Sequence, residues 1–194
     1  MQDFWFYIQL GLEHVLDLGA YDHILFLAAL AIPFTFKNWK QVVVLATIFT
    51  ISHCASLAFS VYGIFSVDVG LIEFLIPVTI ALTALFNFLR IFKKEQSTGI
   101  YFQALATAFF GLIHGFGFSN YFNMLMAEEE HKISPLLGFA TGIELSQVTI
   151  ILLVLALAYV VQEIFKAKQS IFIGVISILI FFITIPMLIA TFPN

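Results

Sequence analysis

Charge is what this sequence has least of: 10% of its 194 residues are Asp, Glu, Lys or Arg, against about 25% in an ordinary soluble domain. With 61% of its residues hydrophobic, the chain cannot cover itself with polar surface, which excludes a soluble enzyme. It also lacks a basic patch to neutralise phosphates and has a net charge of −4, so nucleic acid is excluded as a partner. The single cysteine, Cys54, can form no intramolecular disulfide, and cysteine usage is silent on redox compartment. Neither Lys nor Arg occurs in the first 18 residues. A cleavable signal peptide, which begins with a positive segment, is therefore not expected.

What the chain has in abundance is long apolar runs. A spanning helix needs about 20 largely apolar residues, and such stretches lie near 20–36, 41–62, 71–92, 101–122, 135–161 and 170–192. They predict an all-α polytopic transmembrane bundle of about six spans, forming a single domain over 1–194. Residues 1–18 are too short and too polar for a span, since they carry Glu13, His14 and Asp17 and are followed by Gly19. That segment is expected to be an interfacial or re-entrant half-helix.

Orientation follows from the basic residues, because short cytoplasmic loops are enriched in Lys and Arg. Lys37 and Lys40 follow the first span, Arg90, Lys93 and Lys94 the third, and Lys166 and Lys168 the fifth. The alternate loops carry Asp68 and Glu128, Glu129 and Glu130, with Lys132 the exception. This pattern predicts a multi-pass protein of the inner (cytoplasmic) membrane with both termini outside the cytoplasm.

An ionisable side chain in hydrocarbon costs at least about 2.5–3.5 kcal/mol on insertion scales, so each one inside a span is a candidate functional group. The candidates are His14, Asp17, Asp22 and His23 around the start of the first span, His53 in the second, Glu73 in the third, His114 in the fourth and Glu144 in the fifth. On the expected topology all lie between the outer surface and the midplane and so can meet in one cavity. Imidazoles and carboxylates at one depth form a ligand set for Ni²⁺, Zn²⁺ or a similar divalent ion. The metal-ligand candidates are His14, Asp17, Asp22, His23, His53, His114 and Glu144. Glu73, Gln147, Ser52 and Ser56 are the candidate supporting groups, able to orient imidazole N–H groups. Glu13 and His131 read as surface residues.

Two further patterns bear on the interior. Glycines in the run Gly111 to Gly117 allow a close helix–helix approach, which would put His114 at a contact. Thr79, Thr83 and Asn87 recur every four residues and form a polar stripe leading inward, with Gln103 and Thr107 at similar depth. The stripe is either a conduction route or a set of side chains bonded to their own helix.

Four segments resemble a known family. Asp22-His-Ile-Leu-Phe-Leu27, Thr50-Ile-Ser-His-Cys-Ala-Ser-Leu57, Phe110-Gly-Leu-Ile-His-Gly-Phe-Gly-Phe118 and Phe139-Ala-Thr-Gly-Ile-Glu-Leu-Ser-Gln147 are similar, in this order, to the motifs of the HupE/UreJ membrane proteins of bacterial hydrogenase and urease gene neighbourhoods. Glu73 falls where that family has a glutamate in its third span. In the family a histidine lies with about five residues between it and the Asp-His pair, whereas seven separate His14 from Asp22. Cys54 and Ala140 replace a serine and an asparagine.

The resemblance implies six spans and a link to metal, as a nickel permease or an accessory protein that meets metalloenzyme-maturation proteins. The expected function is thus a permease for Ni²⁺ or a similar divalent cation, with a His/carboxylate site in the outer half of the membrane. Its expected partners are the lipid bilayer and the metal ion. Two alternatives stand beside it. One is an intramembrane zinc-dependent hydrolase with a His₃/carboxylate site and Glu73 or Glu144 as general base. The other is a non-transporting metal-linked accessory protein.

Overall fold

The computed structural model describes residues 4–65, 67–92, 99–127 and 129–193. Lys93, Lys94 and Glu128, used above for orientation, lie outside the described residues. Seven α-helices follow one another, α1 (Phe4–Leu16), α2 (Asp22–Ala31), α3 (Trp39–Val61), α4 (Val69–Phe92), α5 (Ile100–Met126), α6 (Ile133–Tyr159) and α7 (Gln169–Ala190), with no strand among the described residues. From α3 onward, all five are long and apolar enough to cross a membrane.

The first expected span departs from a continuous helix. The ten residues of α2 rise about 15 Å, half the roughly 30 Å of a hydrocarbon core. The thirteen-residue α1 lies in series with it. Tyr7 donates a hydrogen bond from its hydroxyl to Glu129 in the α5–α6 connection, and further along α1 the carbonyl of Leu12 accepts from Ser146 of α6. So α1 descends beside α6 in the same direction. The far end of α2 reaches the opposite face, where the Pro33 carbonyl accepts from Gln169 at the start of α7. Together the two half-helices make one broken crossing, interrupted at residues 17–21.

Glycine permits the α1–α6 approach. A Cβ on Gly142 would stand 2.8 Å from the Leu12 nitrogen and 2.9 Å from the Gly11 Cα, distances no side chain tolerates. Around this seam α3 packs along α5, and α4 along α7. At the head of α4, Asp68 accepts a hydrogen bond from the Leu71 amide at 2.9 Å, satisfying one of the free donors of the first turn. The described acidic loop residues Asp68, Glu129 and Glu130 gather at one end of the bundle. Lys37, Lys40, Arg90, Lys166 and Lys168 gather at the other, with Glu163 beside Lys166, while Lys132 stands at the acidic end.

Candidate metal centre

The break between α1 and α2 places two histidines at facing helix ends: His14 in the last turn of α1 and His23 in the first turn of α2. His53 joins them from the middle of α3 and His114 from the middle of α5. The rings of His14 and His23 are 4.5 Å apart between centroids, and each lies 5.6 Å from the ring of His53. His114 stands on the other side of His23 at 5.4 Å. Ligand nitrogens from His14, His23 and His53 all fall within 4.8 Å of one another. Metal–imidazole bonds of about 2.0–2.1 Å hold two ligand nitrogens no more than about 4.2 Å apart. Three nitrogens held tetrahedrally at that bond length stand about 3.4 Å apart, so the set would draw together around an ion.

The hydrogen bonds around these rings leave the converging nitrogens free. His23 Nδ1 pairs with Asp22 Oδ1 at 3.2 Å, and a carboxylate there holds the proton on Nδ1, leaving Nε2 with its lone pair. His114 Nδ1 lies 2.9 Å from the Phe110 carbonyl. A carbonyl can only accept, so that nitrogen carries the proton and Nε2 again stays open. The Nε2 atoms of His14, His23 and His114 and both ring nitrogens of His53 are buried without a partner. Orphaned buried polar atoms are rare because each forfeits its hydrogen bond to water. Those of His14, His23 and His53 converge, with His114 next to His23, and the donor set suits a borderline divalent cation.

Aromatic rings wall the centre. Phe118 lies 4.0 Å from the His14 ring between centroids and stacks on Phe139, while Phe26 and Phe49 stack on one another and both approach His114. Gly115 lets α5 meet α3 beside the site, since a Cβ there would run into the His53 carbonyl and the Ser56 hydroxyl.

The other expected residues are placed differently. Asp17 is exposed in the break and accepts from the Gly19 amide at 2.7 Å. Glu73 is exposed on α4. Glu144 spans α6 to α3, its two oxygens accepting from Thr47 and Thr50 at 2.6 Å each. Ser52 bonds the Ile48 carbonyl and Ser56 the His53 carbonyl, so both serve the α3 backbone. Gln147 is fully buried, and neither amide atom has a partner. The inward stripe is spent locally: Thr79 and Thr83 bond their own helix, and Asn87 donates to the Ala29 carbonyl.

Thr47 and Thr50, the partners of Glu144, are weakly marked in the sequence. Their spacing of three before His53 on one helix face was the available signal. The aromatic wall had no signal, because 24 phenylalanines are spread along the chain.

Helices of spanning length around a buried histidine cluster define a multi-pass membrane protein with the makings of a transition-metal centre. The sequence model of the family described as HupE / UreJ protein matches residues 1–190, and the chain belongs to that family. The family is linked to nickel and cobalt transport. Searches of curated proteins and of solved structures found no match to the chain.

Proposed function

We propose that the protein is a secondary permease for Ni²⁺ or a closely similar divalent cation. The observation that carries this reading is the convergence of partnerless ring nitrogens from His14, His23 and His53, with His114 and its own open Nε2 beside His23. In the proposal the first three histidines capture the ion, His114 completes the imidazole set, and Asp22 holds His23 in the ligating tautomer. Glu144 serves as a tie between α3 and α6. In many secondary transporters the substrate and coupling-ion sites lie near the bilayer midplane and are formed by discontinuous helices, and the α1–α2 break is such a discontinuity here. Capture takes place from the acidic face, which we assign to the outside of the cytoplasmic membrane, with both termini there.

The hydrolase reading needs a carboxylate base beside a metal-bound water. Glu144 is engaged by two threonines and Glu73 is exposed on α4, so the permease is the better supported of the two. Metal content of the purified protein by mass spectrometry, followed by Ni²⁺ uptake into proteoliposomes, tests it. Wild type is expected to bind Ni²⁺ and transport it, and His53→Ala to lose both. Tightly held metal without uptake would turn the reading to a metalloenzyme. Absence of both would leave an accessory protein whose histidines only join helices.

A further inference from the structure

A cavity lies toward the basic face, between α2, α4 and α5, with a volume of about 370 Å³, within the roughly 300–1,000 Å³ of small-molecule sites. Phe26 and Phe110 line its inner end. Phe26 also touches the His114 ring at 5.3 Å between centroids, so aromatic rings separate this chamber from the histidine centre. Its walls are almost wholly apolar. Of the polar groups that line it, Thr83 and Asn87 already donate to backbone carbonyls. Its flank consists of Leu82, Phe86, Leu89 and Phe102, which are 38–59% exposed and so face the lipid. The chamber therefore communicates with the hydrocarbon.

At the basic end of the chamber stands Arg90. Its guanidinium sits over the Phe86 ring at 5.7 Å, and no carboxylate pairs with it among the described residues. An unpaired guanidinium where an apolar slot meets the membrane surface matches the phosphate of an anionic lipid, which Arg can grip with two parallel hydrogen bonds. Basic residues at that level also draw anionic lipids to the same face. We infer that this chamber holds one acyl chain of an anionic phospholipid, whose phosphate is bound by Arg90.

Native mass spectrometry of the detergent-purified protein, with phosphatidylglycerol or phosphatidylcholine of identical chains, tests the assignment. Wild type should retain phosphatidylglycerol about fivefold better, the ratio equivalent to about 1 kcal/mol for one basic residue. Arg90→Ala should erase that preference, and Ala106→Trp, which fills the slot, should remove retention of either lipid. Equal retention of both lipids by wild type would overturn the proposal. Displacement of phosphatidylglycerol by an equal concentration of glycerol phosphate would overturn it as well, since the site would then belong to a soluble phosphate. Should Ala106→Trp fail to fold, Ala106→Cys in a Cys54→Ser background gives an independent reading in proteoliposomes. Protection from a charged thiol reagent is expected, whereas rapid labelling would reveal a water-filled vestibule and sink the lipid assignment.

Discussion

Asp22 illustrates how one side chain acts through another. It holds the Nδ1 proton of His23, and carboxylates in this role typically contribute 10–100-fold to metal affinity. Asp22→Asn is therefore expected to weaken Ni²⁺ binding by about 10–100-fold without unfolding the protein, as read by calorimetric titration beside a melting curve. Glu144 should behave in the opposite way. Its bonds to Thr47 and Thr50 join two helices, and such interhelical bonds in membranes contribute about 0.6 kcal/mol each, at most about 1.7. Glu144→Ala should lower the melting temperature while leaving the metal-to-protein ratio intact. A loss of metal in that variant would return Glu144 to the ligand set.

Among the elements, the broken α1–α2 crossing matters most, because it brings His14 and His23 to one depth from two separate helix ends. Its position depends on Gly142, against which the α1 backbone lies. Gly142→Val should push α1 away at an overpacking cost of about 1–3 kcal/mol, and should carry His14 out of reach while His53 and His114 keep their places on α3 and α5. The expected readout is weaker Ni²⁺ binding, with helix content by circular dichroism unchanged. Composition alone indicated a short polar lead-in and a first span after it. It did not reveal that the two lie in series, because a ten-residue helix and a longer apolar run differ only in where the backbone stops bonding to itself.

For the molecule as a whole, orientation is the testable property. The basic end carries Lys37 and Lys166 and the acidic end carries Asp68, and short cytoplasmic loops favour Lys and Arg. In a Cys54→Ser background, Asp68→Cys should be labelled by an impermeant thiol reagent added to intact cells, and Lys37→Cys only after permeabilisation. The reverse pattern would invert the direction of capture.

Class, helical architecture and family were legible in the residues themselves, because hydrocarbon demands long uncharged helices and makes every buried charge conspicuous. The histidines stood out for the same reason. Which of the conspicuous groups meet was decided only by the tertiary structure. His14, His23 and His53 converge, with His114 beside His23, because the α1–α2 break and the α3–α5 seam at Gly115 bring them together. Glu73 and Asp17, equally polar, end on exposed surfaces, and Glu144 is taken up by two threonines. Depth along a span follows from counting residues, whereas the direction in which a side chain points depends on the rotation of each helix against its neighbours, which is set by packing distributed over the whole bundle.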